Sequence, residues 1–180
     1  MGNGYRKDGK NVYFEARKKA AMYNDTLSSR EGAARLLGIS AATLTDYERG
    51  ITKVVPVENV VQMAELYRCP ELENGYCKHE CPIGRNRPIA TEVPRLEGTA
   101  LRLIKELNAD KLQELKESVI DIAADGKISA DERDGLREVV QQLKNIQYAI
   151  SEVVLLTVSI WMPARAISSE RQNFSTILPL

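Results

Sequence analysis

The chain has 180 residues, with 25 Lys/Arg balanced by 25 Asp/Glu, one His and three Cys. That length holds one domain with a substantial core, or a small domain plus an appendage. The opening GNGYRKDGKN is too polar for a secretory or membrane leader. The longest apolar run, Val153 to Met162 with Thr157 and Ser159 inside, is too short to span a bilayer. A cytoplasmic location is expected, with no membrane partner, and there the cysteines stay reduced or bind metal. Residues 1–95 hold 15 Lys/Arg against 12 Asp/Glu, and residues 96–180 hold 10 against 13. A mildly basic front and a mildly acidic back suit a head that meets a polyanion and a tail that assembles.

In chain order, residues 1–10 read as a flexible arm bearing Arg6, Lys7 and Lys10. A helix is predicted over Asn11 to Asn24, with Tyr13, Ala16, Ala20 and Tyr23 on one face. Ser29 then caps a short helix that turns Ala33, Ala34, Leu36 and Leu37 inward. Gly38 supplies a positive φ at the turn, and Ile39 plugs the angle between helices. Ser40 caps the next helix, about Ala41 to Arg49, where Leu44 and Tyr47 repeat at helical spacing. Pro56 opens a fourth helix, Val57 to Tyr67, whose Val60, Val61, Ala64 and Leu66 close the core.

Residues 69–95 carry four prolines and two glycines, which argues for irregular chain rather than helix. Beyond them Leu101, Ile104, Leu112, Leu115, Val119 and Ile122 form one helical stripe. A second stripe, Leu136, Val139, Leu143, Ile146, Ile150, Val153 and Leu156, keeps close to a heptad rhythm. An antiparallel hairpin over 96–160 follows, and its apolar surplus is satisfied by self-association or by packing on the head. Residues 161–180 show no clear period and are expected to be loosely ordered.

Helix, glycine turn and capped helix over residues 28–50 are the parts that hold a recognition helix clear of the body. The stretch LLGISAATLTDYERG resembles the helix-turn-helix of the Xre/Cro-like (lambda-repressor-like) regulators of bacteria and their prophages. The family's glycine, aliphatic and Ser/Thr turn is Gly38-Ile39-Ser40 here, and its terminal acidic-x-Gly is Glu48-Arg49-Gly50. The likeness runs from about Asn11 to Pro88. It implies an all-α fold: a helix-turn-helix DNA-binding bundle over 11–68, followed by the helical hairpin. It also implies a repressor-like, dimeric transcriptional regulator that binds double-stranded DNA.

On this resemblance Ser40, Ala41, Ala42, Thr43, Thr45 and Asp46 face the groove. Thr43 and Thr45 offer hydroxyls to base edges, and the methyls of Ala or Thr can meet thymine. Asp46 either touches DNA or orients a neighbouring Arg. Arg30, Arg49 and Lys53 are placed for phosphates. Where relatives often carry Gln or Arg, this chain has Ala41 and Ala42, so shape contacts gain weight. The family's acidic residue, here Glu48, pairs with a basic residue of the first helix, Arg17 or Lys18.

All three cysteines and the only histidine, Cys69, Cys77, His79 and Cys81, fall within 13 residues. Four such ligands suit tetrahedral zinc, yet C-x7-C-x-H-x-C is not a standard finger spacing. Reduced thiols beside a surface histidine, a zinc site, and a Cys77–Cys81 disulfide all stand as readings. Asp121 to Glu132 has partial register with a calcium loop but lacks a carboxylate at Ala123. A turn with a Ser129–Glu132 capping box explains the same residues. No catalytic triad or phosphate loop is present, so no enzyme is expected. The competing readings are a partner-binding module that no longer binds DNA, and a metal- or redox-sensing regulator.

Overall fold

A computed structural model describes residues 6–7, 10–124, 128–129 and 132–161 of the chain. A short ribbon pairs β1 (Arg6–Lys7) with β2 (Lys10–Asn11), so part of the expected arm is paired backbone. Everything else regular among the described residues is helical.

Helix α1 spans Val12–Ala20, shorter than the periodicity predicts. Asn11 stays outside it as the cap, accepting from the Tyr13 and Phe14 amides at 3.0 and 3.1 Å. Its far end stops early because Asn24 caps a 3-10 turn, Asp25–Ser28, and accepts from the Thr26 amide. Tyr23, expected on the inner face, is instead exposed, and its hydroxyl donates to the Tyr67 carbonyl.

Helices α2 (Arg30–Leu37), α3 (Ala41–Arg49) and α4 (Val57–Tyr67) complete the head. Tyr13, Leu27, Ala33, Leu44, Val60 and Met63 are fully enclosed at its centre. Met63 and Tyr67 carry the inner face of α4 together with Val60 and Ala64, while Val61 and Leu66 lie at its edge. Gly38 and Gly50 take left-handed φ of 68° and 69° at the ends of α2 and α3, a conformation that favours glycine. Gly32 answers a different need: a Cβ there would lie 2.1 Å from the Thr26 carbonyl oxygen, so the 3-10 turn rests directly on α2.

The proline-rich segment is not irregular throughout, and this corrects the sequence expectation. Helix α5 spans Glu71–His79, because Pro70 occupies the cap and Pro82 falls after the end, so neither ring interrupts it. Gly84 then lies against α5, where a Cβ would sit 2.2 Å from the Cys77 carbonyl oxygen. The chain returns along α5, with Asn74 Nδ2 donating to the Ala90 carbonyl at 2.7 Å.

The first arm of the expected hairpin is broken into two. Helix α6 (Leu96–Glu106) ends where Asn108 caps α7 (Ala109–Ala123), its Oδ1 accepting from the Asp110 amide at 2.9 Å. Both pack on the 30-residue α8 (Glu132–Trp161). Arg102 of α6 reaches Glu152 at 2.8 Å, whereas Ile122 near the end of α7 comes close to Gly135. The broken arm thus runs back along α8 from its second half to its start. Ser129 and Glu132 form the predicted capping box, with the Ser129 amide donating to Glu132 at 2.7 Å and the Glu132 amide to Ser129 at 3.3 Å. Asp125 and Gly126 of the calcium-loop reading, and all of 161–180 except Trp161, lie outside the described residues.

Two alanine replacements separate these glycine roles. Gly32→Ala must push α2 off Thr26 and is expected to cost about 1–3 kcal/mol. Gly98→Ala in α6 meets nothing within 4 Å and is expected to gain about 0.5–1 kcal/mol. Urea unfolding of both variants measures the contrast; equal effects would contradict the close contact at Gly32.

Candidate nucleic-acid interface

The inner side of α3 carries Leu44, Tyr47 and Glu48, all buried. Helices α1 and α4 grip that side through polar bonds. Asn11, besides capping α1, donates through Nδ2 to the Tyr47 carbonyl at 2.8 Å. Asn59 of α4 donates to the Tyr47 hydroxyl at 2.8 Å. Arg17 of α1 forms a two-pronged ion pair with Glu48, Nε to Oε1 at 2.5 Å and Nη2 to Oε2 at 3.0 Å.

Arg17 and Glu48 are 2% and 5% exposed, so water contributes little to either charge. The two Nη1 donors of Arg17 go to the carbonyls of Leu27 (2.9 Å) and Ser28 (3.1 Å). This is the condition under which a buried pair is tolerated: good geometry with additional hydrogen bonds. The Glu48 hydrogen bonds raise the Arg17 pKa above its ordinary value, outweighing desolvation. Of the two partners the resemblance offers, Arg17 is the one in place.

Arg30 joins the same carboxylate, Nε to Oε2 at 2.7 Å, with about a third of its side chain exposed. Both guanidinium groups lie near the half-buried Phe14 ring, at 5.6 and 5.9 Å from its centroid. Arg30 therefore serves the scaffold as well as any phosphate. Sequence reasoning passed over Asn11, Phe14 and Asn59 in these roles. Asn11 carried a signal, an Asn before an apolar helical run; Phe14 and Asn59 had none.

The outer side of α3 begins at Ser40, whose Oγ accepts from the Thr43 amide at 2.9 Å and pairs with Thr43 Oγ1 at 2.8 Å. Thr45 Oγ1 donates to the Ala41 carbonyl at 2.8 Å. Ser40 and Ala42 are exposed, and Ala41, Thr43, Thr45 and Asp46 are half-buried. Arg49 ends the helix exposed, and Lys53 projects from the loop that follows. Asp46 makes no ion pair among the described residues; its carbonyl accepts from the Ile51 amide at 2.9 Å and tethers that loop. The surface so formed is small-residued at its start and basic at its end.

The Cys/His segment is built differently. Cys69 is buried beyond α4, Cys77 and His79 lie on α5, and Cys81 follows it. All three cysteines are free thiols. Among the described residues no three His, Cys, Asp or Glu side chains gather into a group that could hold a metal ion. Burial pushes the Cys69 thiol up to about 12, with Glu71 adding to the effect.

A capped helix, a left-handed glycine turn and a second capped helix with one face free define a helix-turn-helix unit. The comparison with known families agrees: a family model described as a helix-turn-helix domain matches residues 27–74. These residues form a domain of the kind that binds DNA in regulators. No curated protein and no solved structure matches the chain. Among the described residues no helix is long and apolar enough to cross a membrane.

Removing one partner of the buried pair leaves the other charge stranded. Glu48→Ala is expected to destabilise the head by about 3–5 kcal/mol, read as a fall in the urea midpoint; a loss below 1 kcal/mol would refute the pair's role. Cys69 is expected to react with iodoacetamide at pH 8 far more slowly than the half-buried Cys77 and Cys81, because almost none of it is thiolate. Peptide mapping of the labelled protein checks the order.

Proposed function

We propose that the protein is a sequence-specific transcriptional regulator of the Xre/Cro-like type, working as a homodimer in the bacterial cytoplasm. In this reading α3 enters the major groove of an operator and bound protein occludes or recruits polymerase. The observation that carries it is the asymmetry of α3. One face is bolted to α1 and α4 by Asn11, Arg17 and Asn59, while the other presents Ser40, Ala42 and Arg49 outward. A rigid base with a free face is what presentation to a groove requires.

The roles divide by chemistry. Arg49, Lys53 and the outer part of Arg30 supply charge for phosphates, and the amides at the start of α3 add to the same attraction. Thr43 and the exposed methyl of Ala42 meet base edges, while Ala41 packs on the core at the start of α3. Polar readout is thin, since the hydroxyls of Ser40 and Thr43 bond each other and Thr45 bonds its own helix. That same economy favours the second reading, a partner-binding module built on the same scaffold.

A salt titration on short duplexes separates them. Binding is expected to weaken linearly in log–log form as salt rises, with Arg49→Ala and Lys53→Ala each lowering the slope by about 1. Thr43→Ala is expected to keep the slope and lose about 1–3 kcal/mol of discrimination at one base pair. Absence of any salt-dependent duplex binding would leave the partner-binding reading in its place.

A further inference from the structure

Helix α8 carries two apolar faces, and the chain covers only one of them. Val139, Ala149 and Leu155 are buried, with Ile146, Val153 and Leu156 beside them half-buried. A second line consists of Val140, Leu143, Gln147, Ile150, Val154 and Trp161, every one exposed. Its apolar members are 41 to 78% accessible. The steps along this line are three, four, three and four residues, then seven to Trp161 across Thr157. The single heptad stripe read from the sequence is thus divided: Leu143 and Ile150 belong to the open line, Val139, Ile146 and Val153 to the covered one.

We propose that this line is a coiled-coil seam whose occupant is the α8 of a second copy of the chain. The assignment deepens the homodimer named in the proposed function and rests on that reading for its biological use. Four observations favour a second copy over an unrelated partner. Alternating three–four spacing is the knob pattern of a helix that meets another helix with the same pattern. No position of the seam is ionisable, so a second copy brings no like charge into the contact. Its one internal amide, Gln147, is both donor and acceptor and can pair with itself across a two-fold axis. The seam runs from Val140 to Trp161, about 32 Å of helix. Half-exposed side chains over that length bury on the order of 600 Å² per copy, which reaches the lower bound of a stable interface.

The covered face explains why the seam is left open. Glu152, the only charged residue of α8 beyond Lys144, is turned away from it and held by Arg102 at 2.8 Å. With α6 and α7 already on the other side, a second helix completes a layer on each face of α8.

Light scattering on the eluting full-length protein tests the seam. The expected mass is twice 20.1 kDa. The double variant Leu143→Glu/Ile150→Glu is expected to elute as a monomer, with dimerisation weakened about 100-fold or more by carboxylates in the seam. Both positions are exposed in the single chain, so helix content by circular dichroism should not change. Asn145→Glu, exposed on α8 but off the seam, is expected to keep the dimer. A monomeric wild type would overturn the proposal and give the seam to residues 162–180 or to a foreign protein. A dimer indifferent to the double variant would overturn it as well. Duplex binding measured in parallel keeps the two readings apart: its loss with the dimer intact defeats DNA reading alone, and a monomer that still binds duplex defeats the seam and the homodimer while leaving DNA reading in place.

Discussion

The head is organised around a single carboxylate. Glu48 faces inward from α3 and receives Arg17 from α1 and Arg30 from the start of α2. Two cations on one buried anion leave a net positive charge. The carbonyls of Leu27 and Ser28 and the electron-rich face of Phe14 offset that charge. Each group in the cluster makes the next one tolerable. Burial of Leu44 and Tyr47 selects the inner face of α3 but, being non-directional, defines its exact rotation only loosely. The two-pronged bond from Arg17 fixes the rotation about the helix axis.

Rotation matters because the free face of α3 is narrow. Ala42, Asp46 and Arg49 lie three or four residues apart, so a turn of a few tens of degrees would bury one edge and expose Leu44. Asn11 and Asn59 act on the same degree of freedom from other directions, both through Tyr47. These polar fastenings all act on α3.

The head was largely legible in the sequence because its signals are local. Ser29, Gly38, Ser40 and the pair Pro56–Val57 report caps and turns that depend on a few neighbouring residues, and each stands where expected. Pairing of Glu48 with Arg17 was reachable only through the family resemblance, since 31 residues separate them. Three features escaped for physical reasons. Prolines at 70 and 82 read as breakers, although a proline at a helix boundary is compatible with the helix between them. The 96–123 stripe hid its break, since Asn108 caps α7 without disturbing the apolar spacing. On α8, periodicity could count the apolar residues but not tell which neighbours cover them. On α3, Ser40 and Ala42 stand exposed while Ala41 packs on the core, and the mutual pairing of Ser40 and Thr43 depends on rotamers that no spacing encodes.

Ala90 sits where the two halves of the chain meet. Its carbonyl is taken by Asn74 of α5, and its amide by Ser151 of α8, with the residue itself 1% exposed. One peptide unit on each side is thus satisfied by a different half of the molecule. Swinging the halves apart would break at least one of these bonds and open a sealed position to water. The segment after α5 consequently behaves as a joint with a preferred setting instead of a loose tether. In a pair of chains zipped along α8, that setting would fix the distance and angle between the two heads, and so would select among half-site spacings before any base is touched.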